Sequence, residues 1–174
     1  MKKTIYLLMS VSFIFTACKK EQGCIDPLAT NYNIDAEEDD GSCLFSVHGG
    51  TWTTQSIEST GNMNGSFMGI PMLDSVINYV ETNPDSLEPY KLLFQENYTY
   101  TEYDQENSIV ENGTWTIVSD KLTINTPDTS LVLTIEDINK TNASLSITFN
   151  ESGSEDGFDY QVNLNQIINL NRTY

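Results

Sequence analysis

Positive charge is what this sequence has least of. Eight Lys and Arg stand against twenty-five Asp and Glu, and Arg172 is the one arginine. A surface of that sign repels phosphate backbones, so the expectation is no nucleic-acid partner. It also lacks an electrostatic hold on anionic lipid. Histidine is as scarce: His48 stands alone. The sequence carries no GxSxG, no HExxH and no phosphate-cradling glycine loop. These absences argue against an enzyme. No apolar run reaches the ~20 residues that a spanning helix requires. Cysteine is limited to Cys18, Cys24 and Cys43, an odd number for an exported chain.

What is present begins with an export signal. Lys2 and Lys3 precede the apolar run Ile5 to Phe15, and Thr16, Ala17 and Cys18 follow. The order basic, apolar, small is that of a secretory signal. The tetrapeptide FTAC at 15–18 resembles the lipobox of bacterial lipoproteins. In that family the cysteine after the cleavage point is thioether-linked to diacylglycerol and becomes the mature N-terminus. The resemblance implies a signal peptide over 1–17 and lipid attachment at Cys18. It implies a membrane partner through that lipid. Lys19, standing where Asp would mark inner-membrane retention, points to the outer membrane or cell surface.

If Cys18 carries lipid, Cys24 and Cys43 remain as a disulfide pair, which an oxidising compartment permits. They bracket eighteen residues with few apolar side chains. Such a segment has too little surface to bury to fold unaided. Closing a loop of that size removes roughly 3 kcal/mol of unfolded-state entropy in the chain-entropy account. Asp26, Asn31, Asn33, Asp35, Asp39 and Asp40 supply hard oxygen donors of the kind calcium takes. Ala36 and Ser42 stand where an EF-hand loop needs Gly and Glu, so that motif is rejected. A different calcium site and a plain solvated acidic turn both stay open, and no other cofactor is expected. The stretch from Gly23 to Cys43 also resembles a short repeat of Gram-negative surface and secreted proteins, GCxDPxAxNYNxxAxxDDGSC. Many copies carry a further cysteine where this chain has Thr30. The resemblance implies an extracellular stalk or spacer, placing a lipidated N-terminus and stapled acidic module at 18–46.

From residue 47 to 174 the texture changes. Leu131, Leu133 and Ile135 alternate with polar residues, as do Leu145, Ile147 and Phe149, and Phe158, Tyr160, Val162 and Leu164. Trp115, Ile117, Leu122 and Ile124 continue the pattern. Period two means one buried face and one wet face, the mark of antiparallel sheet. Turn residues at Glu111–Gly113, Ser119–Asp120, Thr126–Asp128, Asn139–Asn142 and Ser152–Gly157 separate the runs. The spacing suggests a meander closing into a barrel or a sandwich. One segment differs: Leu73, Val76, Ile77 and Val80 fall at i, i+3, i+4 and i+7, the stripe of a short helix over 71–82, with Pro71 in its first turn.

Three places in this body resemble the lipocalin-like domain of bacterial lipoproteins. Gly50-Thr51-Trp52 matches the opening Gly-x-Trp strand. LLFQENYTYTEY and NGTWTIVSDKLTI match the family's central strands, and Leu170-Asn171-Arg172 its last. The expected fold is therefore all-β, an antiparallel lipocalin-like barrel of about eight strands with one short helix after the first. The resemblance implies that Trp52 and Arg172 meet where the barrel closes. The helix would form a lid over the open end through Met72, Leu73, Val76, Ile77 and Val80. Two functions follow. The barrel holds a small apolar ligand, or it is filled by its own side chains and serves a structural or protein-binding role, with the protein partner unidentified.

Overall fold

The computed structural model describes residues 20–174. The expected signal peptide and Cys18 lie outside the described residues. Two very short strands, β1 (Gln22–Gly23) and β2 (Glu38–Asp39), pair in parallel within the N-terminal module. The alternating runs of the body all become strands: β3 (Thr51–Phe67), β4 (Ile70–Glu81), β5 (Lys91–Phe94), β6 (Thr99–Tyr103), β7 (Ile109–Val118), β8 (Lys121–Asn125), β9 (Ser130–Ile138), β10 (Asn142–Glu155) and β11 (Phe158–Thr173). They form one antiparallel sheet in the order β11-β10-β9-β8-β7-β6-β5-β3-β4. β11 also pairs with β3, so eight strands close into a barrel and β4 stands outside the ring as a ninth.

Inward positions carry the core. Trp52, Leu92, Phe94, Tyr100, Trp115, Leu122, Leu133, Leu145 and Leu170 are buried together with Val47 from the segment before β3. Aromatic edges organise it: Phe94 meets Trp115 edge-on at 6.0 Å and Tyr100 at 5.3 Å. Gly113 shows how tightly the strands wind. A Cβ there would lie 2.0 Å from the carbonyl oxygen of Asn125. The expected turn at Glu111–Gly113 is thus not a turn. These residues run inside β7, and the glycine answers to a backbone close approach.

Three strands outrun the barrel. β5 covers β3 only at Thr51–Thr53, and β9 covers β10 only at Ala143–Ser146. Yet β10 and β11 stay paired to Glu155↔Phe158, and β11 and β3 to Phe158↔Phe67. β4 joins β3 along Ile57–Phe67. Beyond the barrel rim these four strands continue as a blade in the order β4-β3-β11-β10. Both of its hairpins end in two-residue turns with both central residues at positive φ. They are Met68–Gly69 (50° and 78°) and Asp156–Gly157 (50° and 81°). That is the turn whose twist suits a hairpin. The Met68 N–H donates to the Gly157 carbonyl at 2.8 Å, tying the two tips together.

The helix expected over 71–82 is β4 instead, and among the described residues the helical element is a single 3-10 turn at Pro84–Ser86. The physical reason lies in the residues. Val76, Ile77, Tyr79 and Val80 are β-branched or aromatic and favour a pleated surface. The Met68–Gly69 turn delivers them beside β3. In a strand the apparent stripe splits, with Leu73 and Ile77 on one face and Val76 and Val80 on the other.

Candidate functional site

The closed end is built first. The Arg172 guanidinium lies 4.0 Å from the centre of the Trp52 ring. Trp52 is fully buried and Arg172 nearly so. Arg172 Nη2 donates to the Ser46 carbonyl, and Nη1 donates to the Tyr174 hydroxyl at 3.1 Å. Its Nε is buried, with no hydrogen-bond partner among the described residues. Burial lowers the guanidinium pKa below its ordinary value, with Tyr174 working against that. Trp52 Nε1 donates to the Val47 carbonyl at 2.6 Å. The segment Ser46–Val47 therefore lies across the barrel floor and joins the N-terminal module to it.

In that module Cys24 and Cys43 are disulfide-bonded, with Cα atoms 4.7 Å apart. The Asn31 side chain spans the loop. Its Nδ2 donates to the Ser42 carbonyl at 2.6 Å and its Oδ1 accepts from the Leu44 N–H at 2.7 Å. The remaining oxygen donors act as separate turn acceptors. Asn33 accepts from the Asp35 N–H, Asp39 from that of Gly41, and Asp40 from that of Ser42. Asp26 accepts from the Leu28 N–H and pairs with Lys140 at 2.8 Å, so Lys140 holds its carboxyl below the usual range. Asp35 offers its backbone rather than its carboxylate to these turns. Among the described residues no three His, Cys, Asp or Glu side chains stand as a metal-holding group.

At the open rim an acidic cluster appears that the sequence reading did not single out. Tyr100 donates to Glu102 at 2.7 Å, and Glu102 faces Glu111 directly across the β6–β7 pair. Burial raises the Glu102 carboxyl above the ordinary range. Glu111 and Glu88 add to that, and the Tyr100 hydrogen bond opposes it. The Tyr100 phenol is raised as well, chiefly by burial. A cavity of about 370 Å³ opens here between Leu87, Tyr90, Glu102, Tyr103 and Val110. The signal was legible: Tyr100 and Glu102 alternate onto one face of β6, which places an acid at an inward position.

The barrel interior between floor and rim is occupied by side chains. Trp52, Phe94, Leu122 and Leu145 are each under 2% exposed. Of the cavities of about 280 to 620 Å³ found among the described residues, the one at the rim reaches the core side chain Leu87 and another reaches Trp115, while three are lined by residues outside the buried core.

The expected lid residues sit on the blade. Met72, Val76 and Val80 are 69%, 83% and 58% exposed, while Leu73 and Ile77 are half-buried. The blade's two faces differ. Register places Ile77, Gly61, Leu164 and Phe149 in one row across the four strands, and Leu73, Gly65, Tyr160 and Gly153 in another. This face continues the barrel interior through Ile57, Ile168 and Leu145. The opposite face carries Thr60, Asn62, Asn163, Asn165 and Thr148. Two glycines make room for rings on the apolar face. A Cβ on Gly65 would meet Phe158 at 2.7 Å, and one on Gly153 would meet Tyr160 at 2.5 Å.

No family model, no curated protein and no solved structure matches the chain.

Proposed function

We propose that this protein is a lipoprotein of the outer membrane or cell surface whose barrel is a filled scaffold for protein contact. The anchor is Cys18, followed by the disulfide-stapled module as a spacer. The observation that carries the reading is the packing. Fully buried aromatic and leucine side chains occupy the barrel between floor and rim. Small-ligand pockets run to ~300 Å³ or more of largely enclosed apolar space. Exposed apolar side chains occur on the module and on barrel strands as well, and the blade carries Met68, Ile70, Met72, Val76, Tyr79 and Val80 among them. The chain enters at the floor through Ser46 and Val47, and the blade leaves from the opposite rim. An anchor at Cys18 would thus hold the floor toward the membrane and carry the blade away from it.

Titration of the full chain with a fluorescent fatty acid tests the scaffold. No saturable uptake is expected, and stoichiometric, competable uptake would restore a carrier role. Fractionation tests the anchor. Cys18→Ser is expected to leave the membrane fraction, and unchanged membrane association with unchanged lipid labelling would overturn it.

A further inference from the structure

Among the described residues the blade has two free edges, and they differ in the length of their uncharged run. Beyond Ser146, the edge of β10 runs through the four uncharged residues Ile147-Thr148-Phe149-Asn150 and then carries Glu151, Gly153 and Glu155. Charge and glycine on an edge discourage pairing with another chain. The edge of β4 carries Pro71, Asp74 and Glu81, and the longer unprotected run of six residues lies between the last two. Ser75-Val76-Ile77-Asn78-Tyr79-Val80 contains no charge and no proline, and among the described residues it pairs only with β3. Val76, Tyr79 and Val80 on it are exposed. A row of unpaired backbone donors and acceptors thus borders the open apolar face formed by Leu73, Ile77, Val162 and Leu164.

Charge decides what fits. Residues 57–81 contain three Asp and Glu and residues 142–168 contain four, and neither stretch has a Lys, Arg or His. Two copies of such a blade repel each other, and so do the blade and an anionic lipid surface. A basic partner is attracted. The eight residues Leu73–Val80 span about 26 Å at ~3.3 Å per residue, the length of one ordinary strand.

We propose that β4 is a docking edge for an extended segment of a partner protein in which apolar and basic residues alternate. The segment adds as a further antiparallel or parallel strand, as in other cases of strand addition. Its apolar side chains lie beside Leu73 and Ile77, and its Lys or Arg side chains lie on the opposite face, beside Asp74 and Asn78 and one strand away from Glu58. This inference rests on the protein-contact reading above but fails separately from it. Fatty-acid uptake tests the filled barrel, and peptide binding tests the edge.

The experiment uses the full chain in detergent with two labelled eight-residue peptides, one alternating Val with Lys and one alternating Val with Glu. Fluorescence anisotropy is expected to show saturable binding of the Lys peptide and none of the Glu peptide. Binding should weaken at least about tenfold as salt screens the charges. Hydrogen exchange should slow at residues 73–80 on binding. Val76→Lys and Val80→Lys, both at exposed positions, should each reduce affinity at least about tenfold with unchanged circular dichroism. Thr148→Lys, on the opposite edge strand, should not. Equal binding of both peptides, or no binding of either, overturns the proposal. So does a dimer that Val76→Lys dissolves, since the occupant is then a second copy.

Discussion

The inner and outer halves of β3, β10 and β11 are the same three strands in two environments. In the inner halves Trp52, Leu145, Ile168 and Leu170 are buried under a second wall of sheet. In the outer halves Met63, Phe149, Val162 and Leu164 sit at alternating positions with no strand opposite among the described residues, and they are half-buried or exposed. Period two runs through both, with one shift of frame in β3 at Gln55. Period two therefore reports that a strand has an apolar face. It does not report that the face is covered.

Truncation is the strongest way to break this comparison. Leu122→Ala or Leu145→Ala should cost about 2–5 kcal/mol, the range for emptying a packed leucine site. Leu164→Ala on the blade should cost less than about 1.5 kcal/mol, because its side chain is already partly hydrated. Urea unfolding of the full chain measures both. Equal losses would mean that the outer face is as enclosed as the core.

The module offers a second contrast, since it has almost no core. Replacing Cys24 and Cys43 with Ser together should remove up to roughly 3 kcal/mol of closure stabilisation from the module. The expected result is rapid proteolysis within residues 24–43 and an intact barrel fragment. Proteolysis spreading through β3–β11 would show that the floor depends on the staple. At that floor Arg172→Met should cost about 2 kcal/mol, the scale of a desolvated cation over an aromatic face. An unchanged melting temperature would show that the contact with Trp52 contributes nothing net.

The sequence made some of this legible and hid the rest for physical reasons. Strand after strand was readable because one-sided burial imposes alternation, and Cys24 and Cys43 stood at either end of a segment with no core. β4 was misread because Leu73, Val76, Ile77 and Val80 satisfy helical spacing by number alone. Their β-branched character and the Met68–Gly69 turn decided for strand. That turn was hard to see because Met rarely occupies positive φ, where Asn or Asp would have signalled a hairpin. The blade itself could not be read, since it arises from the lengths of neighbouring strands. β5 and β9 stop short while β3, β10 and β11 go on.

The smallest effect concerns the rim. Glu102 has a carboxyl raised by burial and by Glu111 and Glu88. A raised carboxyl binds protons more readily in the folded state. Its contribution favours folding below the ordinary glutamate range and is lost as pH rises through the raised value. Glu102→Gln keeps the acceptor for Tyr100 and removes the repulsion. It should stabilise at neutral pH by no more than about 1 kcal/mol, allowing for solvent screening at this half-exposed site. The difference from the native chain should vanish in acid. A gain that persists unchanged at low pH would assign the effect to packing instead.

The most direct test of one set of strands in two environments is hydrogen exchange of the full chain, resolved along β3, β10 and β11. Slowest exchange, near the limit set by global unfolding, is expected at Thr51–Ser59, Ala143–Ile147 and Gln166–Arg172. β4, the outer half of β10 and both hairpin tips should exchange at least about a hundredfold faster through local opening. Uniform protection from floor to tip would contradict the account, because the blade would then be as covered as the barrel core.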